Sequence, residues 1–149
     1  MNTKRTGDIT ELQCITYLFE LGFEISIPYG ENSRYDFIID NGKDLLKIQC
    51  KTCQVFESYI TIPCRSIRSN RTRNRIVKYN KQEIDYFATY YNNKCYIISV
   101  EENLNVKTLR FKEPKNNQMQ NISYLADYEA EKVLKIICFL SSSGRTNDL

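Results

Sequence analysis

Three residues of this chain, Asp36, Gln49 and Lys51, have the types and spacing that divalent-metal chemistry uses. Asp36 stands at the start of one apolar run, and Gln49 and Lys51 stand two apart on the next, across an Asn41-Gly42 turn signal. Side chains alternate along a strand, so Lys47, Gln49 and Lys51 share one face while Leu46, Ile48 and Cys50 share the other. A hairpin that lays the two runs side by side then brings a carboxylate, an amide oxygen and an ammonium close together. Hard cations such as Mg²⁺ prefer carboxylate, amide and backbone carbonyl oxygens and keep several waters. Asp36, the Gln49 side chain and the Cys50 carbonyl suit such an ion, with Lys51 beside its water.

Glu11 is a second carboxylate of interest. At about 100° per residue it projects between Ile15 and Leu18, inside the arc of an apolar stripe formed by Leu12, Ile15, Leu18 and Phe19. Placed there it faces the sheet, where a carboxylate is costly without a cation. Asp8-x-x-Glu11 also approximates a capping box, in which Glu11 closes the start of a helix. Both readings remain open at this level.

The elements that must position these groups follow from periodicity and turn signals. Residues 8–22 read as a helix stopped by Gly22. Strands are expected over 24–29, 35–40, about 45–52 and 59–62, with Pro63 closing the last. A hairpin over 86–91 and 94–100 turns at Asn92-Asn93, and 106–111 adds a further strand. The polar run 112–121 reads as loop. Ala130, Val133, Leu134, Ile137 and Leu140 mark a late helix, followed by a polar tail. The result is an α/β or α+β chain with a mixed sheet, built largely from hairpins around one core.

Composition narrows the function. The chain has 149 residues, 42% hydrophobic and 26% charged, enough to bury a core without disulfides or structural metal. There is no histidine, which removes Ser-His-Asp and Cys-His nucleophile systems and His-ligated metal sites. No phosphate-binding glycine loop of the usual kinds is present. Cys50 and Cys53, three apart on a strand, point to opposite faces and fail as a metal or redox pair; the six cysteines read as thiols of a reducing compartment. No apolar stretch approaches the length of a membrane span and no secretory leader is visible, so the cytoplasm is expected.

Charge is concentrated. The net charge is +3, yet residues 65–81 carry Arg65, Arg68, Arg71, Arg73, Arg75, Lys78 and Lys81 with no acid, leaving the remainder acidic. A positive field gathered into one segment is expected where a protein meets a polyanion, and Ser66, Asn70, Thr72, Asn74 and Asn80 add groups that hydrogen-bond phosphates or base edges.

The run from Gly7-Asp8-Ile9-Thr10-Glu11 through Tyr35-Asp36-Phe37-Ile38-Ile39 to Lys47-Ile48-Gln49-Cys50-Lys51-Thr52, then Asp85-Tyr86-Phe87 and Cys95-Tyr96-Ile97-Ile98, resembles the group I intron-encoded homing endonucleases of PD-(D/E)xK type. The resemblance spans about residues 5–111. It implies an α/β fold with a mixed central sheet flanked by helices, restriction-endonuclease-like, with residues 1–149 forming one nuclease domain and 65–81 a DNA-contacting insert. It implies Glu11 and Asp36 as metal-associated acids, Gln49 as the substitute for the usual Asp/Glu, and Lys51 as the catalytic lysine. Tyr35 replaces the family's Pro. The implied activity is Mg²⁺- or Mn²⁺-dependent cleavage of double-stranded DNA at a long, partly palindromic site, leaving a 5′ phosphate, by a homo-oligomer, a tetramer rather than a dimer. A Holliday-junction resolvase or restriction-type nuclease is the alternative within the superfamily, and a non-catalytic DNA-binding module on the same scaffold the alternative outside it.

Overall fold

A computed structural model of the chain describes residues 2–134, apart from residues 70, 103, 115 and 117–119 and the side chains of Arg68 and Ser69. Helix α1 (Thr3–Glu20) opens the chain. The strands β1 (Glu24–Ser26), β2 (Phe37–Asp40), β3 (Leu45–Cys50), β4 (Gln54–Val55), β5 (Tyr59–Pro63), β6 (Arg65–Ser69), β7 (Asn74–Lys78), β8 (Tyr86–Tyr91), β9 (Lys94–Ser99) and β10 (Val106–Arg110) follow in order. A short 3-10 helix covers Leu125–Tyr128. Residues 130–134 are helical, and the rest of the expected late helix, with Ile137 and Leu140, lies outside the described residues.

The helix begins earlier than its apolar spacing indicates. Asn2 caps it, its side chain accepting from the Arg5 N–H at 2.8 Å, an arrangement that satisfies an otherwise orphaned donor. Glu11 therefore lies more than two turns inside α1, and the capping-box reading of Asp8 and Glu11 does not hold. The end is as expected. Gly22, at φ +103°, donates to the Phe19 carbonyl and Phe23 to that of Leu18, a Schellman closure that also packs Phe23 on Leu18 in the core. The buried face is Thr10, Cys14 and Leu18, whereas Leu12 and Phe19 are about 60% exposed. The stripe expected from apolar residues alone is thus rotated, because small Thr10 and Cys14 allow close approach to the sheet. Thr10 is satisfied there by Thr52 Oγ1 at 2.9 Å.

Five strands form a mixed sheet in the order β1-β2-β3-β8-β9, in which only the β3–β8 pairing is parallel. Asp40 pairs with Leu45 across a loop in which Gly42 takes φ +88° and Asn41 Oδ1 accepts from the Lys43 and Asp44 N–H groups. Asn92 and Asn93, at φ +48° and +65°, form the two-residue turn of the β8–β9 hairpin, matching the twist of its strands.

One core was expected, but two are found, one on each face of the sheet. The first holds Cys14 and Leu18 of α1 against Phe37, Ile39, Ile48, Cys50, Ala88, Cys95 and Ile97. The second holds Phe87, Tyr96 and Ile98 against Ile60, Ile62 and Leu109 of a second, three-stranded sheet, β10-β5-β4. Strands β8 and β9 are buried on both faces, which is why their sequence runs apolar without alternation. The third sheet is the two-stranded ribbon β6–β7, built from the basic segment.

Candidate active site

The sequence-predicted site residues Asp36, Gln49 and Lys51 meet at the end of β3. Asp36 immediately precedes β2, and its N–H donates to the Ile48 carbonyl at 2.8 Å, extending the β2–β3 ladder by one residue. Its carboxylate Oδ2 then accepts from the Cys50 N–H at 2.8 Å, standing in for the strand partner that β2 no longer supplies. The aspartate is thereby locked to Ile48 and Cys50, the two residues that flank Gln49. Lys51 is held in turn through its own N–H, which donates to the Ala88 carbonyl of β8 at 2.9 Å. Gln49 lies on the same strand face as Lys51, and its Nε2 donates to the Cys50 carbonyl at 3.4 Å, the carbonyl expected to face a cation.

Glu11 approaches this corner from α1. Burial, then the charges of Asp36 and Asp8, push its carboxyl up to about 7. Asp36 is also raised, chiefly by burial, although the Cys50 N–H and the Lys51 ammonium oppose the shift. Burial thus disfavours the anion of both acids, and at Glu11 the charge of Asp36 adds to it. Among the described residues no three His, Cys, Asp or Glu side chains are grouped to hold a metal ion. The corner offers two carboxylates, with the Gln49 amide and the Cys50 carbonyl as further oxygens. Neighbouring carboxylates, together with neutral oxygens, are the donor set a hard divalent cation prefers.

The basic segment forms a β-hairpin, β6–β7. Arg65 pairs in register with Lys78 and Arg68 with Arg75, so like charges stand opposite one another, an arrangement that weakens a free ribbon. Arg71, Arg73, Arg75 and Lys78 are exposed, Arg65 is half-buried, and the side chain of Arg68 lies outside the described residues. Ribbon and corner adjoin, since Lys51 Nζ donates to the Arg65 carbonyl at 3.1 Å.

Three residues at this junction carry no sequence signal. Arg34 pairs with Glu83 at 2.7 Å, donates to the Lys78 carbonyl at 3.1 Å, and stacks on Tyr79 with 3.9 Å from guanidinium carbon to ring centroid. Nothing in the spacing of Arg34, Tyr79 and Glu83 foretells their meeting. Strand β3 ends at Cys50, so Cys53 does not share a strand with it as expected; Cys50 belongs to the first core, Cys53 packs against the second, and the five described cysteines are free thiols.

Asp36 at the entry to β2 and Gln49 and Lys51 at the end of β3 thus border one corner of a mixed sheet, which Glu11 approaches from α1. A sequence model of the family described as PD-(D/E)XK endonuclease matches residues 1–131, and the chain belongs to that family. In fold it is similar to a solved bacterial homing endonuclease, I-Ssp6803I, at 19% sequence identity and a TM-score of 0.74, covering 99% of this chain and 100% of that one. No curated protein matches in sequence. Among the described residues, no helix is long and apolar enough to cross a membrane.

Proposed function

We propose that this protein is a site-specific endonuclease of the homing type, which hydrolyses double-stranded DNA with Mg²⁺ or Mn²⁺. The observation that supports this reading is the hydrogen bond from the Cys50 N–H to the Asp36 carboxylate, beside Gln49 and beside a Lys51 that bonds to the basic ribbon at Arg65. Residues 1–149 act as one nuclease domain and 65–81 as its DNA-contacting insert.

Asp36, Glu11, the Gln49 amide oxygen and the Cys50 carbonyl would hold the cation. When bound, it supplies positive charge that polarises the phosphoryl group and eases deprotonation of water. The chain's own residues do the rest. Lys51 donates to a non-bridging oxygen of the scissile phosphate and steadies the charge that develops there. The water oxygen forms a new bond to phosphorus, the bond to the 3′ oxygen breaks, and a proton ends on that 3′ oxygen. The products are a 3′ hydroxyl and a 5′ phosphate. With Gln49 neutral, the corner has only two acids, so metal binding is weak until the phosphate adds its charge.

Arg65, Arg68, Arg71, Arg73, Arg75 and Lys78 contact phosphates while the ribbon lies in the major groove, a width that admits two strands. A 17.6 kDa subunit covers a limited stretch of duplex, so a long, partly palindromic site calls for several copies in matching symmetry, and we favour a homotetramer over a dimer. The unpaired cysteines suit the reducing cytoplasm.

The test is a cleavage screen of plasmids carrying the intron-insertion junction of the host gene, with and without Mg²⁺. Metal-dependent cutting at one locus that leaves 5′ phosphates supports the proposal. Preference for four-way junctions over linear duplex favours a resolvase, and binding without cutting under either cation refutes the enzyme.

A further inference from the structure

Lys51 does not end in open solvent. Its Nζ donates to the Arg65 carbonyl at 3.1 Å and to the Tyr79 hydroxyl at 3.2 Å, and lies 4.9 Å from the centroid of the Tyr79 ring. Arg65 opens β6, and Tyr79 follows Lys78, the last residue of β7, which is the register partner of Arg65. Both acceptors therefore sit at the base of the basic ribbon.

The tyrosine is itself fixed. The Arg34 guanidinium stacks on its ring, and Phe87 meets it edge-on at 5.3 Å between centroids and 89° between planes. Arg34 is anchored by Glu83, the Lys78 carbonyl and, at 3.4 Å, Ser66 Oγ, and it lies two residues before Asp36. A free lysine samples many rotamers, so two acceptors and an aromatic face that are themselves immobile select one position for its ammonium.

We propose that Tyr79 is a positioning residue for Lys51, an inference that rests on the nuclease reading above. Its hydroxyl, with the Arg65 carbonyl, holds the lysine at the mouth of the corner. Because one acceptor opens β6 and the other follows β7, the seating of the ribbon on DNA is transmitted to Nζ through two hydrogen bonds.

Tyr79→Phe is the discriminating variant, because it keeps the ring, its packing on Phe87 and its cation-binding face while removing only the acceptor. With supercoiled plasmid and Mg²⁺, the single-turnover cleavage rate is expected to fall about tenfold, with DNA affinity and thermal midpoint unchanged. Tyr79→Leu, which also removes the aromatic face, is expected to lower the rate further. The Cε–Hε resonance of Lys51, assigned through Lys51→Arg, is expected to move in the Phe variant. An unchanged rate, or a loss of affinity or stability that accounts for the slower cutting, overturns the proposal. Wild-type protein that binds plasmid without cutting it refutes the nuclease reading separately. The lysine resonance still decides the contact in that case: no movement on Tyr79→Phe overturns it, and movement sustains it.

Discussion

The corner at the end of β3 and the basic ribbon adjoin, yet they are built in opposite ways. Around the corner, Phe37, Ile39 and Ile48 are completely buried, and Asp36 is hydrogen-bonded into the ladder itself. In the ribbon, the paired Ile67 and Ile76 are 57% and 51% exposed, no further strand among the described residues is hydrogen-bonded to either edge, and like charges oppose one another. Two strands alone are marginal in water, so the ribbon depends on its anchors at Arg34 and Lys51. Under the proposed function, the difference separates two tasks. Chemistry needs reacting groups held within a fraction of an ångström, which a packed sheet provides. Following a duplex needs an adaptable, positively charged surface, which a thin ribbon provides.

The contrast breaks most sharply at the reacting groups. Lys51→Ala or Asp36→Asn should lower the cleavage rate by about 10³-fold while DNA binding, followed by gel shift, persists. Equal loss of binding and cutting would erase the division of labour. Next in size is stability. Ile48→Ala should cost about 2–5 kcal/mol in urea unfolding, because it opens a cavity in the packed corner. Ile76→Ala on the exposed ribbon should stay within about 1 kcal/mol of wild type. Similar losses at both sites would show that the ribbon is packed in solution.

A smaller effect concerns recognition. Arg71→Ala combined with Arg73→Ala should weaken DNA binding about tenfold and reduce the slope of log affinity against log salt by roughly 2. A salt slope equal to that of wild type would remove these arginines from the interface. The smallest effect is on pH. With its pKa near 7 against an ordinary 4.5, folded Glu11 holds a proton that the unfolded chain has released. Its contribution to stability is full below about pH 4.5 and is lost as pH rises through about 7. Thermal midpoints of metal-free protein should decline across that window, less steeply in Glu11→Gln, and Mg²⁺ should oppose the decline. An identical pH profile in the variant would remove Glu11 from the charged corner.

Much of the corner was legible from local rules. Alternation put Gln49 and Lys51 on one face, and the Asn41-Gly42 signal correctly made β2 and β3 neighbours. The same rules failed in α1, where apolar identity chose Leu12 and Phe19, but close packing on the sheet selected Thr10 and Cys14. They also missed that residues 65–78 form a ribbon, since no strong turn dipeptide marks the bend between Ser69 and Asn74 and the alternation is masked by charge. The second core escaped notice because continuous apolar runs in β8 and β9 look alike whether covered on one face or two.

The sequence by itself determined the local directions: which side chains share a strand face, where the chain turns, and where positive charge accumulates. These follow from backbone sterics and composition within a few residues. Only the tertiary structure decided that Lys51 would reach Tyr79, 28 residues away, and that Arg34 would meet Glu83 across 49. Those encounters depend on how the ribbon and sheets seat against one another, a balance of burial over the whole chain that no short stretch encodes.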